Sequence, residues 1–525
     1  MGKLLYHDLE TGTKGYLGIE LGSTRIKAIL IDETYHVIAS GSYQWESSFE
    51  NGIWTYSMEE AEAGLKAAVR DLTENLREDV QVCCMGLSGM MHGYLAFDRD
   101  WRLLVPFRTW QNTVTRQAAE ELTECLQFNI PQRLSIAHLL QAVLNGEEHL
   151  PALSHMTTLA GYFHYLLTGV NAVCVDEASG MFPIAADGED YDSEMIEKTE
   201  RLLRSKGYTA NLKELLPRIM HAGCFAGTLS EAGSRLLDGL IPSGVPFAPA
   251  TGDGGTGMVA TNSVAPRTGN VSAGTSIFAD IVLEKPLKKL YPEIDIVTTP
   301  TGLPVAEIHG NNCTNDMNMY VRMFSQLLEL FGTEVSENEL FTKLYESSLD
   351  GDGDCDGVCV VNYLAGECIT HIDDGRPFVI RRPESKLTLP NFIKSHLYGL
   401  FATMRIGLDL IEEEDVRIDS LMGHGGVFKT KGVGQRYLAA AFRAAVTCME
   451  HAGDGGPYGM ALLCAFTVQQ ERDETLEHFL DEKVFRGRES STIHPKEEDV
   501  KGFNAFMEQY YKCIRLEAAI QAADI

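Results

Sequence analysis

The sequence predicts an α/β protein that contains two domains. The chain has 525 residues, whereas single hydrophobic cores rarely grow beyond about 250–300 residues. Its first part alternates apolar segments of strand length with segments of helical periodicity, as α/β layer folds do. Two glycine-containing turns of the same design lie about 250 residues apart, and recurrence at such a distance indicates a duplicated fold.

Each of these two turns predicts a hairpin that can bind an anion. In both, a glycine and two hydroxyl residues separate two apolar runs of strand length, the first run beginning at Tyr16 or near Gly269. Glycine lets the main chain approach a phosphate, and neighbouring N–H and hydroxyl groups can point at one anion. The predicted phosphate-binding residues are Gly22, Ser23, Thr24, Gly274, Thr275 and Ser276.

The other elements follow from periodicity. In the first half, the pattern predicts a strand over 80–87 and helices over 58–76, 118–126, 135–144 and 158–167. In the second half it predicts a strand and turn over 418–426 and helices over 392–414, over 434–442 and from near Pro457. A linker over 262–269 predicts an N-terminal domain of 1–263 and a C-terminal domain of 264–525, with a helical extension from about residue 470.

Composition narrows the possible partners and location. The chain has 74 acidic and 44 basic residues, a formal charge of −30, which argues against nucleic acid and against an anionic membrane surface. We find no signal-peptide pattern and no apolar run of about 20 residues. The twelve cysteines show no zinc-type double pair, so we expect reduced thiols and a cytoplasmic protein.

Asp253 is the strongest candidate for a catalytic residue. It lies between glycines in what the sequence predicts to be a glycine-rich turn, just before the linker. Phosphoryl transfer to an alcohol needs a carboxylate within reach of the hydroxyl, together with donors that hold the phosphates. The alternative is an aspartate that only stabilises its own turn.

Five motifs, in order from Tyr16 to Phe466, together resemble the FGGY family of carbohydrate kinases, members of the actin/hexokinase ATPase superfamily. The first and second phosphate motifs of that family are similar to residues 18–24 and 269–276. Its catalytic-base motif is similar to Gly252-Asp253-Gly254. Its adenosine loop is similar to residues 423–426, and its proline-tyrosine-x-x-glycine-glutamate segment to residues 362–367.

This resemblance implies two actin-like (ribonuclease H-like) domains with mixed sheets flanked by helices, and an active site in the cleft between them. It further implies ATP and Mg²⁺, with Asp253 as general base and with Glu20 and Asp253 facing the metal. Gly425, Gly426 and Gln435 would bind adenosine. The family usually has aspartate where this chain has Glu20, whose alternative role is to pair within its hairpin.

The sugar-binding residues implied by the same resemblance are Met91, His92, Trp110, Asn112 and Asp253. Similar Met-His-Gly and Trp-x-Asp segments occur in the xylulose and ribulose kinases of the family, although Asn112 replaces the aspartate. Ser179 lies in a segment that resembles another pocket segment. His92 could instead be a buried structural histidine.

The sequence therefore predicts a kinase that phosphorylates a ketopentose of the xylulose or ribulose type. Two alternatives remain open at this point. One is a kinase of the same family for another polyol, a deoxyhexulose or an aldonate. The other is a non-kinase, sugar-responsive ATPase or binding module. A homodimer is a further expectation from the family.

Overall fold

The computed structural model describes residues 2–6, 12–449 and 455–523, which form two compact units. Unit 1 consists of the described residues of Met1–Val264, Ile296–Val305 and Gly453–Gly487. Unit 2 consists of those of Ala265–Asp295, Ala306–Ala452 and Arg488–Ile525. A single boundary near residue 263 therefore does not separate the two units, because the described residues of two later segments, 296–305 and 453–487, belong to unit 1.

The described residues form strands and helices that alternate along most of the chain. The strands are β1 (Leu4–Leu5), β2 (Thr13–Leu21), β3 (Arg25–Asp32), β4 (Val37–Gln44), β5 (Ser48–Glu50), β6 (Ile53–Thr55), β7 (Val80–Gly89), β8 (Leu95–Phe97), β9 (His155–Thr157), β10 (Ala172–Cys174), β11 (Arg218–Met220), β12 (Thr251–Gly252), β13 (Thr268–Ala273), β14 (Ile277–Val282), β15 (Asp295–Thr298), β16 (Pro304–Gly310), β17 (Cys359–Val361), β18 (Phe378–Ile380), β19 (Ser420–His424), β20 (Ala445–Met449) and β21 (Ser490–Ile493). The α-helices are α1 (Met58–Asn75), α2 (Arg116–Leu126), α3 (Ser135–Asn145), α4 (Leu159–Thr168), α5 (Val175–Ser179), α6 (Ser193–Ser205), α7 (Leu212–Leu215), α8 (Glu231–Leu236), α9 (Asp253–Ala260), α10 (Asn315–Leu330), α11 (Glu337–Ser347), α12 (Leu389–Ile411), α13 (Val433–Phe442), α14 (Gly455–Gln469), α15 (Leu476–Phe479) and α16 (Glu497–Ala522).

Unit 1 is built on a mixed sheet whose strand order is β1-β7-β2-β3-β4, with β12 also paired to β7. Strands β2, β3 and β4 form an antiparallel meander, whereas β1, β2 and β12 all run parallel to β7. Helix α1 covers one face and buries its apolar residues at helical spacing, from Ala61 to Leu72. Ser57 caps this helix by accepting the backbone N–H of Glu60 at 3.1 Å, which satisfies one of its unpaired donors.

Helix α14 packs against β2, β7 and α9 of unit 1, although about 430 residues separate it from β2 in the sequence. It is buried from Met460 to Thr467 and consists largely of small and apolar residues. Glycine permits its close approach to α9, since a Cβ on Gly459 would lie 1.9 Å from the carbonyl oxygen of Thr256. This tight crossing fixes the start of α9 against the rest of the unit.

The glycine-rich stretch around Asp253 is a helix rather than the predicted turn. Gly252 is the N-cap and Asp253 the first residue of α9. Glycine disfavours a helix by roughly 1 kcal/mol per residue relative to alanine. Tertiary packing overrides that preference here, because Thr256, Met258 and Val259 are buried in unit 1.

Unit 2 repeats the central arrangement of unit 1. Its main sheet includes the order β16-β14-β13-β19-β20-β21. Strands β13 and β14 form an antiparallel hairpin, and β19 lies parallel to β13, just as β7 lies parallel to β2. Arg436 on α13 joins Asp499 on α16 through two hydrogen bonds of 2.7 Å, so the C-terminal helix is part of this unit.

Among the described residues, none of the helices combines the length and the apolar character needed to cross a bilayer.

Candidate active site

Three parallel strands of unit 1 end at the same edge of its sheet. The register pairs Leu21 of β2 with Gly89 of β7, and Gly89 with Gly252 of β12. The residues that follow these strands therefore emerge side by side. They are the first predicted phosphate loop, the segment with Met91, and Asp253.

Asp253 lies at this edge with an exposed side chain. Its Oδ1 accepts the backbone N–H of Gly254 at 3.0 Å and that of Met91 at 3.4 Å. These contacts orient a carboxylate that solvent still reaches. A carboxylate in this position can accept a proton from a bound alcohol.

The first loop is held from behind by two aromatic side chains. The indole N–H of Trp45 donates to the carbonyl oxygen of Gly22 at 2.7 Å, and the Tyr56 hydroxyl donates to that of Ser23 at 2.7 Å. Ser23 and Thr24 themselves are exposed. The loop is thus fixed through its carbonyl groups, and its binding of phosphate stays a prediction.

Glu20 lies at the end of β2 beside this loop. Burial raises the pKa of its carboxyl group to about 7, although Lys27, at 4.0 Å, acts in the opposite direction. Because Lys27 lies 4.0 Å from Glu20 and not in hydrogen-bond contact, a bound cation can further stabilise the Glu20 carboxylate. Within the described residues no cluster of three or more His, Cys, Asp or Glu side chains could hold a metal. Glu20 and Asp253 fit Mg²⁺, which commonly uses one or two carboxylates, substrate phosphates and water.

His92 adopts a left-handed backbone conformation (φ 68°) and is buried. Burial lowers its pKa well below the ordinary value, and the charge of Arg133 acts in the same direction, so the ring is neutral. Its Nδ1 lies 3.2 Å from the carbonyl oxygen of Gly180. Because a carbonyl only accepts, Nδ1 carries the proton and Nε2 is left as an acceptor.

Trp110 and Asn112 differ in how accessible they are. Trp110 is 41% exposed, so its ring can contact a ligand. Asn112 is buried, and its amide donates to the carbonyl oxygens of Trp54 and Thr109 while accepting the N–H of Trp54 at 2.8 Å. This amide clamps Trp54 in place, and only one lone pair of Oδ1 remains for a sugar.

Two buried carboxyl groups next to Asp253 were not predicted from the sequence. Asp176 and Glu177 on α5 are both 0% exposed. Burial raises the pKa of Asp176 to about 7 and raises the pKa of Glu177 well above its ordinary value. Two adjacent acids more often lie on a solvated helix end, so no local signal in the sequence distinguished this pair.

In unit 2, the second predicted phosphate loop is also held through its carbonyl groups. Thr314 donates to the carbonyl oxygen of Gly274 through its N–H at 3.2 Å and its hydroxyl at 2.8 Å. The N–H of Cys313 donates to the carbonyl oxygen of Thr275 at 3.2 Å. Thr275 is exposed. The N–H of Gly274 donates to the carbonyl oxygen of Ser276 at 2.9 Å, and this hydrogen bond closes the turn.

Behind this loop, Glu367 anchors the segment that leads to Cys313. One carboxyl oxygen accepts the N–H groups of Asn311 and Asn312 and the side-chain amide of Asn312. The side-chain oxygen Oδ1 of Asn312 in turn accepts the N–H groups of Leu364 and Ala365. The predicted family segment at 362–367 therefore supports the second loop from behind.

The predicted adenosine residues divide into two groups. Gly425 and Gly426 follow β19, whose last residue, His424, pairs with Ser272 near the end of β13, so these glycines share an edge with the second loop. Gly425 has a φ of 100° and lies against the carbonyl of Ala273. Gln435, in contrast, is buried, and its amide nitrogen donates to the carbonyl oxygens of Val446 and Ser491. It links β20 to β21 from behind the sheet.

The chain belongs to the FGGY family of carbohydrate kinases. The family's N-terminal domain matches residues 15–260 and its C-terminal domain matches residues 269–468. The protein is therefore a sugar kinase, and the alternative of a non-kinase module is set aside.

The similar proteins include kinases for different sugars. A xylulose kinase from Haemophilus influenzae is 22% identical over 521 residues, which cover 96% of this chain and 98% of that protein. A gluconate kinase and a ligand-bound xylulose kinase, both from Lactobacillus acidophilus, each have a TM-score of 0.78 at 15% identity. Each covers 97% of this chain, and the matches span 98% and 99% of the two solved chains. The predicted fold class of two actin-like α/β domains is confirmed.

Proposed function

We propose that this protein transfers the γ-phosphoryl group of ATP to a hydroxyl group of a ketopentose of the xylulose or ribulose type. The observation that supports this best is the register of unit 1, which brings Asp253, Met91 and the first loop to one sheet edge. Family membership supports the reaction, and the curated xylulose kinases among the relatives support the pentulose.

In the proposed reaction, the sugar oxygen attacks the γ-phosphorus while the bond from that phosphorus to the β,γ-bridging oxygen breaks and ADP leaves. The proton of the sugar hydroxyl passes to a carboxylate oxygen of Asp253. The loops at Gly22–Thr24 and Gly274–Ser276 stabilise the phosphate oxygens through their N–H and hydroxyl groups. Mg²⁺, held by Glu20 and Asp253 with phosphate oxygens, would neutralise charge on the phosphates.

We assign the sugar contacts of unit 1 from the hydrogen-bonding and apolar character of its side chains. Nε2 of His92 accepts a hydrogen bond from a sugar hydroxyl, and Trp110 covers the apolar C–H face of the sugar. Met91 adds an apolar contact beside Asp253. Asn112 contributes mainly by holding the backbone of Trp54.

A panel assay tests this function. Sugar-stimulated ADP release is measured with D-xylulose, D-ribulose, D-gluconate and glycerol, each with ATP and Mg²⁺. We expect the highest kcat/KM for a pentulose. A higher kcat/KM for D-gluconate would show that the substrate is an aldonate and not a pentulose. The absence of sugar-stimulated ADP release with a wider set of sugars would contradict the proposal.

The same assay tests the role of Asp253. We expect Asp253→Ala to fold normally and to lose at least about 10³-fold in kcat, because it removes both the base and a metal ligand. Circular dichroism and thermal melting check the fold. Near-normal turnover in this variant would refute the assignment.

A further inference from the structure

We propose that Asp176 is a positioning residue that fixes the start of helix α9 and thereby orients Asp253. This inference rests on the proposed role of Asp253 as the base. Asp176 itself is fully buried and contacts the backbone N–H of Gly252 rather than any position open to substrate.

Asp176 directly contacts the residue that precedes Asp253. Oδ2 of Asp176 accepts the backbone N–H of Gly252 at 2.9 Å. Gly252 is the last residue of β12 and the N-cap of α9, so it is the residue at which the chain changes direction before Asp253. A buried hydrogen bond at that point restricts the orientation in which Asp253 leaves the sheet.

Helix α9 leaves space for this carboxyl group. A Cβ on Gly255 would lie 2.1 Å from Oδ2 of Asp176 and 2.8 Å from its Cγ. Gly257, two residues further along the same helix, would have nothing within 4 Å of a Cβ. The lack of a side chain at Gly255 therefore makes room for Asp176, whereas Gly257 has no such neighbour among the described residues.

The backbone of Asp176 is itself held in place. The Ser179 hydroxyl donates to the carbonyl oxygen of Asp176 at 2.5 Å, and the N–H of Thr298 donates to that hydroxyl at 3.2 Å. Burying a carboxyl group costs several kcal/mol unless hydrogen bonds compensate for it. A carboxyl group placed at such cost, fixed from behind and bonded to the residue before the base, is suited to positioning.

The test compares two substitutions of Asp176 with a matched control. Asp176→Ala removes the acceptor, whereas Asp176→Asn keeps an oxygen that can accept the N–H of Gly252. Asp192 makes a bond of the same kind elsewhere in unit 1, since its Oδ1 accepts the N–H of Met195 at 2.9 Å and caps α6. Asp192→Ala therefore measures the effect on kcat of losing one such hydrogen bond, and the stability that it provides, away from Asp253.

We expect Asp176→Ala to lower kcat on the order of 10²-fold, the effect of misplacing a reacting group by about 1 Å. The KM for ATP should change little, and Asp176→Asn should recover most of the activity. Asp192→Ala should retain the kcat of the wild type. An equal loss in Asp176→Asn and Asp176→Ala, or no loss in Asp176→Ala, would overturn the inference.

A double-mutant cycle separates this inference from the proposed function. If Asp176 acts through Asp253, Asp176→Ala should have no further effect on kcat in the Asp253→Ala background. An undiminished additional loss would overturn the positioning role. High activity of Asp253→Ala alone would instead contradict the proposed function, whatever Asp176 does.

A pair of glycine variants decides the question if Asp176→Ala does not fold. Gly255→Ala should displace the Asp176 carboxyl group and lower kcat in the same range, whereas Gly257→Ala should leave kcat unchanged. Both variants add one methyl group to the same helix, so propensity cannot account for a difference. Equal kcat values in the two variants would overturn the inference.

Discussion

Glu367 has a buried carboxyl group that accepts three hydrogen bonds behind the second loop. Burial nevertheless raises its pKa to about 7 from an ordinary value of 4.5. The folded protein thus binds this proton more tightly than the unfolded chain does. The contribution of this proton to the free energy of unfolding is therefore fully present below about pH 4.5, and it is lost as the pH rises through about 7.

Glu367→Gln tests this single-residue effect. Glutamine keeps an oxygen for the N–H groups of Asn311 and Asn312 but cannot ionise. We expect the free energy of unfolding of the variant, relative to the wild type, to increase from pH 5 to pH 8, by at most about 3 kcal/mol. Urea titrations at several pH values measure it, and a difference that is independent of pH would contradict the assigned pKa.

Single residues also show the limit of sequence patterns. From its glycine neighbours the sequence predicted Asp253 as the base, which stays a prediction, and it predicted hairpins at both hydroxyl turns, which the structure contains. It did not show that the amides of Asn112 and Gln435 bond to the backbone of other strands and loops, as the structure does. Side-chain partners far away in the sequence decide whether a polar group faces a ligand.

At the level of elements, helix α14 shows how a close crossing stabilises unit 1. A Cβ on Gly459 would lie 1.9 Å from the backbone oxygen of Thr256, whereas one on Gly455 would have no neighbour within 4 Å. We expect Gly459→Ala to lower the free energy of unfolding by about 1–3 kcal/mol, as overpacking of a core does.

Gly455→Ala is the control for that prediction, because it adds the same methyl group to the same helix without a clash. Its free energy of unfolding should equal or slightly exceed that of the wild type. Denaturant unfolding of both variants measures the difference. Equal stability of the two variants would show that the approach of α14 to α9 is not as close as described.

Helix α9 illustrates the same point for secondary structure. The sequence around Asp253 predicts a turn because glycine is a poor helix former. The helix forms because α14 packs against it and because its first residue follows directly from the buried strand β12. Periodic segments such as α1, α3 and α13, in contrast, begin and end within a few residues of their predicted bounds.

At the level of the whole molecule, unit 1 needs a segment from late in the chain. Residues 455–469 cover the face of β2 and β7 that carries Gly18 and Gly86, where a Cβ would lie 2.1 Å from the carbonyl oxygen of Pro457 and 2.4 Å from Cε of Met460. Tyr16 and Cys84, on the same face, are buried. A fragment of residues 1–264 would expose that apolar surface to water. We expect it to melt without a cooperative transition and to bind a hydrophobic dye.

Joining residues 453–487 to that fragment through a flexible linker should restore a cooperative transition, because the added segment contains α14. The same linker followed by a scrambled sequence of equal composition is the control. Cooperative unfolding of the fragment by itself, measured by calorimetry, would show that α14 is not required for unit 1.

The sequence by itself determined the duplicated α/β organisation and the two hydroxyl hairpins, because these depend on residues that are neighbours in the chain, and it supplied the prediction that Asp253 is the base. Only the tertiary structure decided that α14 completes unit 1, that Asp253 begins a helix and that Asp176 lies behind it. Those features depend on contacts between residues as far as 453 positions apart, such as Gln469 of α14 and Tyr16 of β2. Local periodicity carries no information about such pairs, because it records which face of an element is buried and not what buries it.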